Sequence, residues 1–179
     1  MAEDFQHPYP DPEIDALIQR LKTQLKDFAG RIDELRPALE AGKPLRELHA
    51  VPDDDSALLF TLAARLCDEG EFQHALPIAM HLSAYHGSDP RHSFVAATCL
   101  QRLGLHEDAL EMYQLCMAAA GAPQAGAMYR AGECLLAMNE KEHAMQAFEE
   151  AFDLGRAGSE YADIQDMASQ RIEQLRASA

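Results

Sequence analysis

The sequence has no tryptophan, no apolar run approaching bilayer length and half as many basic as acidic residues. Each absence removes a class of function. With 15 lysines and arginines against 30 acids, the formal net charge is -15. Phosphate backbones are held by basic surfaces that release counterions, so no nucleic acid and no membrane is expected as a partner. HExxH, GxSxG, GxGxxG and P-loop motifs are all missing, so neither an enzyme nor a cofactor or metal is expected, and the 8 histidines read as surface residues. The 4 cysteines contain no CxxC pair and read as small buried apolar side chains, neither ligands nor a disulfide framework. The N-terminal MAEDFQHPYP has neither a basic n-region nor an apolar h-region, which points to a cytosolic, reducing compartment.

What is present is helical. Hydrophobic residues make up 47% of the 179, with abundant Ala, Leu, Glu and Gln and few β-branched runs. One helix-turn-helix unit is written three times, from Ser56, Pro90 and Ala125, at offsets of 34 and 35 residues. Small residues occupy the eighth place (Ala63, Ala97, Gly132) and the twentieth (Ala75, Ala109, Ala144), where paired helices must meet backbone to backbone. Ala79 and Leu82, Tyr113 and Cys116, and Phe148 and Ala151 fill the twenty-fourth and twenty-seventh places. Gly70, Gly104 and Asn139 mark the equivalent turn of each hairpin, and Asp89 followed by Pro90 reads as a cap and first helical position. This pattern resembles the tetratricopeptide repeat, whose helix pairs bury their apolar faces only by stacking on neighbours. The fold class expected is all-α: a tetratricopeptide-like superhelix of three repeats with an N-terminal helix and a C-terminal capping helix.

Residues 1–12 read as a flexible tail, 13–55 as a heptad helix and hinge, and 56–179 as the repeats plus capping helix. Along the first helix, Ile14, Ile18, Leu21, Leu25, Phe28 and Ile32 recur at steps of 4 and 3 until Pro37, which should interrupt the helix. Such a seam needs a covering surface, either a second copy of the chain in a homodimer or the first repeat. The final helix should place Tyr161, Ile164, Met167, Ala168, Ile172 and Leu175 against the stack.

The segments LLFTLAARLCDEGEFQHALPIA, SDPRHSFVAATCLQRLGLHEDALEMY and MYRAGECLLAMNEKEHAMQAF resemble the class II chaperones of bacterial type III secretion systems. The most specific part is the A-x-E-C-L-L run of Ala131 to Leu136. The resemblance implies a protein in the cytoplasm of a Gram-negative bacterium that keeps a hydrophobic translocator subunit soluble before export. It implies binding of an extended apolar peptide segment in the groove lined by the first helices of the repeats. Places 2, 5, 9, 12 and 13 then face that groove and include Phe60, Ala64, Cys67, Arg91, Phe94, Thr98, Gln101, Tyr129, Glu133 and Leu136. The fifth place is aromatic in every repeat, an expected ladder of Phe60, Phe94 and Tyr129 for an apolar peptide. The runner-up is a generic tetratricopeptide scaffold or adaptor of another bacterial assembly. An adaptor gripping a terminal carboxylate is excluded on the same resemblance, because Phe60 and Ala64 stand where its lysine and asparagine would be.

Overall fold

A computed structural model describes residues 12, 15, 16, 19, 20, 23, 26 and 30 and the stretches 32–41, 53–120 and 124–177. The chain divides into two compact units, Met1–Leu58 and Leu59–Ala179. Among the described residues there are eight α-helices and no strand: α1 Ile32–Glu40, α2 Asp53–Asp68, α3 Phe72–Tyr85, α4 Pro90–Arg102, α5 His106–Ala120, α6 Ala125–Ala137, α7 Lys141–Gly155 and α8 Ala162–Ala177. A 3-10 turn, Ser159–Tyr161, leads into α8.

Within the first unit, α1 carries Pro37 inside it instead of stopping there. Proline loses its own amide donor and crowds the turn before it, yet the helix continues past it with the Ala41 amide bonded to the Pro37 carbonyl at 3.1 Å. Ile14, Ile18, Leu21, Leu25 and Phe28 of the expected seam lie outside the described residues. Ile32 opens α1, but its side chain lies outside them too.

The second unit is built from the repeats. Helix α2 starts at Asp53, in the acidic stretch just ahead of the repeat that begins at Ser56. Each hairpin then turns through one motif. Gly70, Gly104 and Asn139 adopt φ of 82°, 81° and 66°, the left-handed region open to glycine and tolerated by asparagine. The following amides of Glu71, Leu105 and Glu140 reach back to the carbonyls of Leu66, Leu100 and Leu135 at 2.8, 2.9 and 2.9 Å. This is the Schellman closure, which satisfies carbonyls the helix end would orphan. Between repeats one and two, the Asp89 side chain accepts the Arg91 amide at 3.0 Å and Pro90 supplies the first helical position.

All six small places are buried. In repeat three the approach leaves no room for a side chain, since a Cβ on Gly132 would lie 2.8 Å from a ring carbon of the fully buried Phe148. One core joins α3 to α6 through Ala79, Ala96, Leu100, Met112, Tyr113, Cys116 and Cys134. A second joins α6 and α7 to α8 through Tyr129, Ala144, Phe148, Ala151, Ala168 and Ile172. Helix α8 therefore covers the last repeat, as a terminal capping element must. Two side chains fall elsewhere than their spacing suggested. Met167, placed on the packing side of α8, is 37% exposed, one step of about 100° away from the buried Ala168. His92 is buried, not a surface residue, with its Nδ1 3.1 Å from the His86 carbonyl oxygen.

Candidate functional site

Three first helices, α2, α4 and α6, contribute side chains to the same two recesses. Repeat spacing dictates this, since one helical face recurs every 34 or 35 residues. The first recess, of about 400 Å³, is lined by Phe60 of α2, by Arg91, Phe94 and Val95 of α4, and by Gly126 and Ala127 of α6. Tyr161 and Ile164 complete its wall from the chain entering α8. The recess is apolar with a charged rim. The Arg91 guanidinium lies 4.9 Å over the Phe60 ring, a cation–π arrangement, and is steadied by the Asp89 carboxylate at 3.0 and 3.1 Å from its Nε. That guanidinium contact holds the Asp89 carboxyl down at about 2, well below the ordinary carboxylate value. The Phe94 ring meets Tyr113 edge-on, with centroids 5.6 Å apart, so one face of the aromatic is anchored in the core.

The second recess, of about 340 Å³, is polar and carries charges of both signs, the acids Asp68 and Glu69 and the bases Arg102 and Arg130. Cys67, Asp68 and Glu69 come from the end of α2 and its turn; Thr98, Gln101 and Arg102 from α4; Arg130 from α6. Behind it runs a connected chain of hydrogen bonds. The Tyr113 hydroxyl donates to Gln101 Oε1 at 2.8 Å, and Gln101 Nε2 donates to Glu133 Oε2 at 3.2 Å. Arg130 Nη1 donates to the same Glu133 oxygen at 2.8 Å, while Arg171 of α8 sits 3.5 Å from Glu133 Oε1. Burial pushes the Tyr113 phenol well above its usual range, so it stays neutral and acts as a donor. Glu133, the acid of the A-x-E-C-L-L run, thereby joins α4, α6 and α8.

Phe60, Arg91 and Phe94 of the expected groove residues line the first recess, and Cys67, Thr98 and Gln101 the second. Ala64 is half-buried on α2, Glu133 is the hub of the polar chain, and Leu136 packs partly buried against the second core. Tyr129 differs from an open rung of a ladder: it is 3% exposed, with its ring 5.4 Å from that of Phe148. Its hydroxyl meets Arg171, which brings α8 over the position an open rung would need. Spacing gave no warning of Val95, Ala127, Tyr161 and Ile164 in the first recess or Arg130 in the second. Of these, only Arg130 carried a local signal, standing three residues before Glu133 on the same helix face.

Solved structures with this architecture exist. A T3SS complex from Aeromonas hydrophila is 25% identical, with a TM-score of 0.71 over 82% of this chain and 97% of that one. PcrH of Pseudomonas aeruginosa, in complex with the chaperone binding region of PopD, is 23% identical with a TM-score of 0.69 over 72% of this chain and 96% of that one. The type III secretion translocator chaperone SycD of Yersinia enterocolitica is 20% identical, with a TM-score of 0.68 over 72% of this chain and 88% of that one. The chain has the fold of the type III secretion translocator chaperones. No family model and no curated protein sequence matches it. Within the translocator-chaperone fold, the two recesses lie on the first-helix face. No helix among the described residues is long and apolar enough to cross a membrane.

Proposed function

We propose that this chain is a cytoplasmic chaperone of a Gram-negative type III secretion system, a binding protein and not an enzyme, which holds an apolar segment of a hydrophobic translocator subunit until export. The observation that carries the reading is the apolar recess between Phe60 and Phe94, open on the first-helix face and rimmed by Arg91. A translocator segment that must stay in water needs an apolar host that releases it, and apolar walls with a cationic rim suit an extended peptide whose carbonyls remain polar. The formal net charge of -15 keeps such a complex dispersed. Proteins of the same fold have been solved with segments of PopD and PopB and with a peptide of YopD, which supports this kind of ligand.

Titration calorimetry with peptides from a translocator encoded beside this chain tests the reading. Aromatic anchors at an interface centre often cost 2 kcal/mol or more on truncation, so Phe94→Ala should weaken binding roughly thirtyfold with helicity retained. Unchanged affinity in a folded variant would overturn the groove reading. Failure of every translocator peptide, with capture of an unrelated assembly subunit, would favour the scaffold alternative. Self-association through the seam of Ile14 to Ile32 is part of the same proposal, and SycD has been solved as an alternative dimer. Glutamates at Leu21 and Phe28 should then convert a dimeric sedimentation mass to a monomeric one, while a parent that is already monomeric would rule this out.

A further inference from the structure

Two of the four free cysteines are neighbours in space although 32 residues apart in sequence. Cys67 lies in the last turn of α2 and Cys99 three residues before the end of α4, and their Sγ atoms approach to 3.2 Å. A disulfide needs about 2.05 Å, so roughly 1 Å of closure between two packed helices would join them. The two thiols are unequal. Cys67 is half-buried and lines the recess of about 340 Å³ together with Arg102 and Arg130, while Cys99 is fully buried behind it. The Cys99 thiol, donating to Cys67, holds the Cys67 thiol below its ordinary value, against the opposing pull of burial and of Asp68. The same contact, with burial, pushes Cys99 far up. Cys116 and Cys134 are buried in the core, and burial raises both, Cys134 to about 11. They form an internal control.

We propose that Cys67 and Cys99 are a peroxide-responsive dithiol, with Cys67 the attacking and Cys99 the resolving thiol, whose disulfide staples repeat one to repeat two beside the polar recess. The Cys67 thiolate attacks one oxygen of hydrogen peroxide; an S–O bond forms, the O–O bond breaks, and the departing hydroxide takes a proton as water. Cys99 sulfur then attacks Cys67 Sγ. The S–S bond forms, the S–O bond breaks, and the second water leaves with the Cys99 proton. Two thiols are oxidised and one peroxide is reduced to two waters. In a reducing compartment such a bond is transient, as a sensing pair requires.

The test treats the full chain with limiting hydrogen peroxide, then alkylates and maps it by mass spectrometry. Two thiols should disappear, a peptide joining Cys67 to Cys99 should appear, and dithiothreitol should restore both. Closing this loop restricts the unfolded chain, so the oxidised protein should melt roughly 5–15 °C higher. Cys99→Ala should accumulate a sulfenic acid at Cys67 that dimedone traps, with no cross-link. Cys116→Ser should behave as the parent, and if it fails to fold, Cys134→Ser serves the same purpose. The proposal is overturned by sulfinic acid at Cys67 without a link, by a disulfide between chains, or by four unreacted thiols under peroxide that oxidises free cysteine.

Discussion

Phe94 and Tyr129 occupy the same place in successive repeats and meet opposite fates. Phe94 lines an open recess with one edge on Tyr113, whereas Tyr129 is sealed between Phe148 and the polar chain to α8. The local sequence does not separate them, since both sit at the fifth place of a first helix and both back onto an aromatic of the following helix. What separates them is the next element. Repeat two is followed by another repeat, and its first-helix face remains a recess walled at one side by Tyr161 and Ile164. Repeat three is followed by α8, whose Arg171 reaches Glu133 and the Tyr129 hydroxyl. A repeat protein can thus keep its recognition side chains and its packing side chains at one sequence position, and capping decides which is which.

The comparison breaks most visibly through truncation. Tyr129→Ala empties a buried aromatic site and should cost roughly 3 to 5 kcal/mol, read as an early denaturant midpoint. Phe94→Ala should cost clearly less stability and instead weaken peptide binding. Equal losses of stability in the two variants would mean that both aromatics are core. A smaller perturbation overpacks the sealed half. Gly132→Ala places a Cβ 2.8 Å from the Phe148 ring, which has no exposed side to move toward, so roughly 1 to 3 kcal/mol should be lost. A parent-like melt would show that repeat three is looser than its contacts suggest.

The polar link comes next in size. Glu133→Ala leaves Arg130, Gln101 and Arg171 without their shared acceptor, and about 1 to 2 kcal/mol should go. Glu133→Gln, which keeps an acceptor oxygen, should recover part of it. If α8 closes repeat three through this link, hydrogen exchange in Ala162–Ala177 should rise in Glu133→Ala and stay as in the parent in Phe94→Ala.

The smallest effect concerns the rim of the open half. Asp89→Ala removes the cap of α4 and the partner of Arg91, at a cost of about 1 kcal/mol. The Asp89 carboxyl is lowered to about 2 from 3.8 by the Arg91 hydrogen bond. Its stabilisation is therefore complete above the unfolded value and is lost as pH falls from 3.8 toward 2. Thermal melts of parent and Asp89→Asn should differ above pH 4 and converge below about 2. A constant difference across that range would show that the Arg91 pairing contributes no linkage.

Much of this protein is written in local pattern. The 34- and 35-residue offsets, the small residues from Ala63 to Ala144, and the left-handed turns at Gly70, Gly104 and Asn139 each follow from backbone sterics or helix contact acting within one hairpin. Those constraints involve neighbours in sequence, so their residue types betray them. Pro37 inside α1 shows the limit even there, because a helix survives a proline when the bonds on either side persist.

Sequence by itself thus determined the all-helical class, the three hairpins, their turns and the face on which Phe60 and Phe94 stand, because helical period assigns residues to faces. Only the tertiary structure decided what covers each face. The arrival of Tyr161 and Ile164 at the first recess, the burial of Tyr129 under α8 and the meeting of Cys67 with Cys99 all depend on how far one helix is rotated and shifted against another. That placement is the sum of many weak packing contacts between segments distant in sequence, and no single residue type records it.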